Sequence, residues 1–191
     1  PSDERTTGLA AHGVALAATV FSGGLLGFVA SLVMYLVFRD RGPFVRERER
    51  IIERLRDFDG ALKAMQAGND IEAERLLGQL AAKYPELSGP KANLGIVYLR
   101  SGRLAEAERV VAQAIKQNPN NPTYHNLLGI IDRTAGKFTE ARKAYDAALS
   151  IDANYAYAHL NIAILYDLYL HDGNKALQHY QRYQALSPKE D

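Results

Sequence analysis

The sequence predicts an all-α protein in which one N-terminal transmembrane helix precedes a solenoid of about four stacked helix hairpins. Two observations lead to this prediction. Positions 6–38 contain no Asp, Glu, Lys or Arg. Beyond them, a pattern of small, aromatic and aliphatic residues returns every 34 positions, and a fixed period of this length is typical of stacked repeats. An ordinary helical bundle is not expected to hold such a period over four units.

The apolar N-terminal segment is long enough to cross a bilayer. After a short polar tail at 1–13, the densest apolar run occupies 14–38 and has 25 residues. As a helix this run would measure about 38 Å, and a hydrocarbon core is about 30 Å thick. A cleaved signal peptide has a shorter apolar run with basic residues in front of it. Here the basic residues follow the run, so a retained single-pass transmembrane helix is predicted.

The distribution of arginine predicts the orientation of this helix. Only Arg5 precedes the apolar run, whereas seven arginines follow it between Arg39 and Arg56. Because basic residues favour the cytoplasmic side, the N-terminus is expected outside and the repeats in the cytoplasm, with an outside location of the repeats as the alternative. The Ala- and Arg-rich composition favours a bacterial inner membrane. The arginines between Arg39 and Arg50 are expected to contact anionic lipid head groups.

Small residues recur every fourth position along one face of the predicted transmembrane helix. In lipid, helices associate through close backbone approach and dispersion contacts, which small residues permit. This face is therefore predicted to dock against a transmembrane helix of another membrane protein subunit or of a second copy. The alternative is that small residues are simply common in such helices. The row consists of Ala15, Thr19, Gly23, Gly27 and Ser31.

The rest of the chain divides into a juxtamembrane segment at 39–53 and a repeat domain at 54–188. Gly42 and Pro43 are expected to interrupt the helix just past the membrane, and a new helix is predicted over 44–67. The repeats are predicted at 54–87, 88–121, 122–155 and 156–188. Their further helices are predicted at 70–83, 89–100, 104–117, 122–134, 138–150, 155–170 and 174–186.

The residues at fixed offsets resemble a known repeat. In the second unit they include the Leu94–Gly95 pair, Tyr98, Ala107 and Pro119, and much of this pattern returns 34 residues later. The spacing resembles the tetratricopeptide repeat, and the resemblance covers about 54–188. It implies a right-handed α-solenoid that binds proteins and is not an enzyme. A single hairpin cannot bury its apolar face alone, so neighbouring hairpins are expected to stack.

The sequence departs from the repeat in its third and fourth units. Asp132 stands where the repeat has an aromatic residue. The fourth unit carries one inserted residue, expected in the turn that contains His171 and Asp172. Tyr183 stands where the repeat has a small residue, so the last hairpin is expected to splay. An exposed apolar face near the C-terminus is therefore predicted, and such faces often bind partners. Its residues are Tyr180, Tyr183 and Leu186.

The resemblance also implies a groove lined by the first helix of each repeat, which would bind a protein or peptide. Chaperone-binding relatives hold a C-terminal carboxylate with lysines and asparagines, and lysine is missing from the matching positions here, so that class of partner is not expected. A helix or an extended segment is the expected occupant. The predicted groove residues are Ile96, Leu99, Arg100, Asn126, Ile130, Arg133, Tyr157, Leu160 and Ile164.

The sequence contains no motif typical of catalysis or cofactor binding, so no enzymatic activity, catalytic residue, cofactor or metal is expected. His125 and His159 are 34 residues apart and occupy one slot in successive repeats, where a packing role is favoured over a metal site. A net charge of +1 gives no reason to expect nucleic acid. The predicted function is a membrane-anchored scaffold, an accessory subunit or assembly factor of a larger membrane protein complex. The alternative is a membrane receptor or chaperone-like module that binds client peptides in import, secretion or cytochrome c maturation.

Overall fold

A computed structural model describes residues 41–187, and within this range all regular secondary structure is α-helical. The predicted transmembrane helix and its row of small residues lie outside the described residues. Among the helices that are described, none is long and apolar enough to cross a membrane. The helices are α1 Arg41–Gln66, α2 Asp70–Lys83, α3 Ser88–Arg100, α4 Leu104–Gln117, α5 Pro122–Thr134, α6 Phe138–Ile151, α7 Ala156–Leu168 and α8 Gly173–Leu186.

The helix bounds confirm the secondary structure expected from the 34-residue period. Most ends lie within one or two residues of their predicted positions. The predicted interruption at Gly42 and Pro43 is wrong, because both residues belong to the first turn of α1. Proline is tolerated there, since the first N–H groups of a helix have no partner within the helix.

The chain divides into two units, 1–55 and 56–191. In the first unit, the described residues form the N-terminal part of α1. In the second unit, α3 pairs with α4, α5 with α6, and α7 with α8. The end of α1 pairs with α2 through a shared core that includes Ala61, Met65, Ala73 and Leu77. The second helix of each hairpin also contacts the first helix of the next, through α2 with α3, α4 with α5 and α6 with α7.

A repeated turn connects the two helices of the first three hairpins. Gly68, Gly102 and Gly136 have φ values of 71°, 73° and 76°. After each glycine, the next backbone N–H donates to a carbonyl five residues back, as from Arg103 to Tyr98 at 2.8 Å. This pattern is a common helix C-cap, in which glycine adopts the left-handed conformation without a Cβ clash.

The turn of the fourth hairpin is one residue longer and confirms the predicted insertion. It runs over 169–172, whereas each of the other three turns has three residues. Within 41–187, His171 is the only non-glycine residue with a positive φ, at 53°. The N–H of Asp172 donates to the carbonyl of Tyr166 at 3.0 Å, six residues back, so the helix end is closed over a wider loop.

Small residues are buried where the two helices of a hairpin approach most closely. A Cβ placed on Gly129 would lie 2.6 Å from Cδ1 of Tyr145, and in the preceding repeat Gly95 is blocked in the same way by Val111. Contacts this short do not occur between carbon atoms that are not bonded to each other. In the second and third hairpins, the backbone of the first helix therefore lies directly against a side chain of the second helix.

Candidate protein-binding surface

The first helices of successive hairpins lie beside one another. The central helix, α5, contacts both α3 and α7. Side chains that project from these three helices to the same side can form one continuous surface. All nine predicted groove residues belong to these three helices. Their role in binding a partner stays a prediction.

Helix α7 presents an apolar stripe. Tyr157, Leu160, Ile164 and Leu168 are spaced three or four residues apart, so they lie on one face of the helix. Tyr157 and Leu168 are each 61% exposed, and the two residues between them are half-buried. The first three residues belong to the predicted groove. Leu168 was missed, although its position four residues after Ile164 was a sufficient signal.

The polar residue that α5 contributes to the predicted groove, Asn126, is buried in a hydrogen bond between helices and is not exposed to a partner. Asn126 is only 6% exposed, and its Oδ1 accepts a hydrogen bond from Nδ2 of Asn161 at 3.0 Å. This bond connects α5 to α7. Because a buried amide left without a partner would cost free energy, we infer that Asn126 maintains the spacing of these helices. Ile130 and Arg133 are half-buried on the same helix.

Helix α3 contributes Ile96 and Leu99, which are half-buried. The guanidinium of Arg100 contacts the first hairpin: Nη1 donates to the carbonyl of Met65 at 3.1 Å and to Oδ1 of Asp70 at 3.3 Å. An exposed ion pair of this kind contributes little to stability. It does hold the Arg100 side chain against the end of α1 and the start of α2.

The predicted C-terminal face lies on α8, where Tyr180, Tyr183 and Leu186 are all half-buried. Oη of Tyr180 donates to Oδ2 of Asp167 at 3.3 Å, which connects α8 to α7. Burial, and after it the charge of Asp167, raises the pKa of Tyr180. Leu177 on the same helix is exposed. A partner for this face stays a prediction.

A buried carboxyl group occupies the aromatic position of the third repeat. Asp132 is 4% exposed, and its pKa is raised to about 6, first by burial and then by the charge of Glu108, while Lys137 acts in the opposite direction. Nζ of Lys137 donates to Oε2 of Glu108 at 2.6 Å. One repeat earlier the same three positions hold Tyr98, Glu74 and Arg103. There the guanidinium lies 4.3 Å from the centre of the tyrosine ring and binds Glu74 at 2.9 Å.

The histidines near the groove have structural contacts. Equivalent positions in the second, third and fourth repeats carry a side chain whose nitrogen contacts the backbone carbonyl six residues earlier. These contacts are Nζ of Lys91 with Pro85 at 2.5 Å, Nε2 of His125 with Pro119 at 2.8 Å, and Nε2 of His159 with Ala153 at 3.1 Å. These contacts hold the end of one repeat to the start of the next. Within the described part of the chain, no three residues of the types His, Cys, Asp or Glu are grouped so that they could bind a metal ion.

His159 also contacts a second histidine. A carbonyl can only accept, so Nε2 of His159 carries the proton that bonds Ala153. In the neutral ring Nδ1 is then an acceptor, and Nδ1–H of His179 donates to it at 2.9 Å. Burial and the nearby His159 lower the pKa of His179, while the charge of Asp146 raises it. This pair joins α7 to α8 and was not predicted from the sequence.

The repeats match a known family over the centre of the chain. The family model for the tetratricopeptide repeat matches residues 92–159. Proteins with this repeat are generally protein-binding scaffolds and not enzymes. No curated protein sequence matches the chain.

Solved structures of MamA are similar in fold. A crystal structure of MamA is 15% identical, with 90% of this chain and 93% of that chain covered and a TM-score of 0.63. MamA from Desulfovibrio magneticus RS-1, residue 41 to the end, is 12% identical, with 93% of each chain covered and a TM-score of 0.62. MamA from MSR-1 is 23% identical, with 66% of this chain and 72% of that chain covered and a TM-score of 0.56. At these identities the similarity shows the fold alone.

Proposed function

We propose that this protein is a membrane-anchored tetratricopeptide-repeat scaffold, an accessory subunit or assembly factor of a larger membrane protein complex. The observation that carries the proposal is the apolar stripe of α7, whose two end residues, Tyr157 and Leu168, are largely exposed. Exposed aromatic and aliphatic residues beside half-buried ones are typical of protein interfaces. The repeat family supports a protein partner, and the charge-free segment 14–38 supports the anchor.

The groove favours a partner with an apolar face. Leu160 and Ile164 of the stripe are half-buried, as is Ile130 on the adjacent helix α5, so a partner side chain that packs there would displace water from an already apolar surface. Arg133 is half-buried on α5 and offers a cation at the edge of this surface. An amphipathic helix with an acidic residue at its border would fit both features.

The test uses the full chain with a C-terminal tag, extracted from membranes in mild detergent. Membrane subunits that remain bound in stoichiometric amounts through size exclusion are the result expected. Leu168→Glu should reduce partner retention about tenfold or more, because it places a charge within the apolar stripe. Ile71→Glu is the matched control, since Ile71 on α2 is 87% exposed and lies outside the row of first helices. Equal retention by both variants would refute the role of the stripe.

The membrane part of the proposal has its own variant. Gly27→Leu would block close helix approach along the row of small residues at 15–31. If Gly27→Leu loses the membrane subunits while the soluble partner stays bound, the row of small residues binds the membrane subunits and the repeats bind the soluble partner. Unchanged complex formation would remove the docking role of the row. If instead the tagged protein elutes alone or with substoichiometric clients, the receptor or chaperone-like function replaces the scaffold function.

The location of the repeats has a separate test. We propose a cytoplasmic repeat domain from the excess of arginine after the apolar segment. Protease added to sealed cells should leave the repeats intact, and cleavage only after lysis is the expected result. Cleavage in sealed cells would place the repeats outside and favour a role in envelope assembly or cytochrome c maturation.

A further inference from the structure

The N-terminal part of α1 carries an apolar face on its surface. Phe44, Val45, Ile51, Ile52 and Leu55 have exposed fractions between 38% and 74%. Five exposed large apolar residues within twelve positions are unusual for a surface that faces only water. The helix that carries them is continuous over Arg41–Gln66, so their positions around the helix axis follow from the helical repeat.

These residues form one sector of the helix. At about 100° per residue, Phe44, Ile51 and Leu55 lie within about 40° of one another, and Val45 and Ile52 extend the sector to about 120°. The opposite side carries only charged residues, Arg46, Glu47, Glu49, Arg50, Glu53 and Arg54. Such a division into an apolar and a charged face is typical of helices that lie in the interface of a membrane.

One residue distinguishes a lipid surface from a protein partner. Arg48 lies in the middle of the apolar sector, at about 40° from Phe44. In a protein interface a guanidinium at this place would have to be buried with a partner. At a bilayer surface its aliphatic stem can lie along the apolar face while its charge reaches a lipid phosphate. The seven arginines and four acidic residues at 39–56 also favour an anionic surface.

The position of the helix in the chain supplies the remaining argument. The charge-free segment ends at position 38 and α1 begins at Arg41, so at most about 11 Å of chain separates them. We propose that residues 44–55 form an interfacial helix that lies along an anionic membrane surface, with Phe44, Ile51 and Leu55 inserted among the lipids. This proposal rests on the membrane anchor of the proposed function.

The chain contains no tryptophan, which permits a direct measurement of depth. The full chain is reconstituted into anionic vesicles as three single-tryptophan variants, Ile51→Trp on the apolar sector, Glu49→Trp on the charged face and Phe28→Trp within the expected span. Bromine is placed on the lipids either near the head group or deep in the acyl chains. Bromine near the head group should quench the fluorescence of Ile51→Trp at least about twice as strongly as that of Glu49→Trp. The reason is that the two faces are separated by roughly the 10 Å diameter of a helix. Phe28→Trp should be quenched by deep bromine.

The outcomes separate this proposal from the anchor on which it rests. Strong quenching of Phe28→Trp together with none for Ile51→Trp would overturn the interfacial helix and leave the anchor in place. No quenching of Phe28→Trp would overturn both. A blue-shifted but unquenched Ile51→Trp would mean that a protein, either a second copy or another subunit, covers the face.

A charge reversal tests the role of Arg48. In the Ile51→Trp variant, Arg48→Glu should lower shallow quenching about twofold, because a carboxylate within the apolar sector opposes insertion and repels anionic lipid. Arg46→Glu makes the same change of charge on the opposite face and should have a smaller effect. Equal effects of the two substitutions would show general attraction of the helix to the membrane and would overturn insertion through this sector.

Discussion

Replacing Asp132 by asparagine removes a buried charge without changing the size of the side chain. The pKa of Asp132 is raised to about 6 from an ordinary value of 3.8, mainly by burial. The folded state therefore binds a proton more tightly than the unfolded state. The free energy of unfolding falls as the pH rises from about 3.8 to about 6 and stays low above that range. The cost of the carboxylate at neutral pH is at most about 3 kcal/mol.

Asp132→Asn should therefore be more stable than the wild type by about 1–3 kcal/mol at pH 7.5. The difference should shrink as the pH falls towards 4, because the wild-type carboxyl is then protonated in the folded state and begins to be protonated in the unfolded state. Thermal unfolding of the detergent-solubilised chain, followed by circular dichroism, measures the effect as a Tm rise of about 2–4 °C for each kcal/mol.

The control is Asp146→Asn on the same hairpin. Asp146 is exposed, so its replacement should change stability by less than about 0.5 kcal/mol at pH 7.5. If Asp132→Asn instead matches the wild type at pH 7.5 and shows the same slope between pH 4 and 6.5, the buried carboxylate carries no penalty and the reasoning is refuted.

Three further predictions concern the packing and the turns. Gly129→Ala should lose about 1–3 kcal/mol of unfolding free energy because its Cβ would overlap the Tyr145 ring. Gly78→Ala is the control and should gain about 0.5–1 kcal/mol, because its Cβ would meet nothing within 4 Å. Equal changes in the two variants would contradict the close approach of the two helices at Gly129. His179 has a lowered pKa, so its protonation should cost stability as the pH falls below 6.5, opposite in sign to the contribution of Asp132, and His179→Gln should remove this cost from the pH profile of Tm. A profile unchanged by His179→Gln would refute that role. His171→Gly should raise the free energy of unfolding by about 0.5–1 kcal/mol, since His171 has a φ of 53°, and a loss of stability in urea unfolding would show that its side chain makes compensating contacts.

The binding site could be predicted only in outline. The 34-residue period placed Tyr157, Leu160 and Ile164 on one helix face, and the structure brings them together beside α5. From the period, Asn126 and Arg100 were predicted to line the groove in the same way as these three residues. The structure distinguishes them, because Asn126 is buried against Asn161 and Arg100 contacts Asp70. Nothing local in the sequence reveals such partners, which lie 30–35 residues away.

The sequence by itself determined the helices, their turns and the inserted residue of the fourth hairpin. These features depend on helix periodicity, on glycine at left-handed turn positions and on proline near helix starts, all of which act over a few neighbouring residues. Only the tertiary structure decided which polar groups are buried and what they contact. The raised pKa of Asp132 and the bond between His159 and His179 arise where hairpins and their helices pack together. Burial and the fields of neighbouring charges exist only once the repeats have stacked, so no local pattern could have specified them.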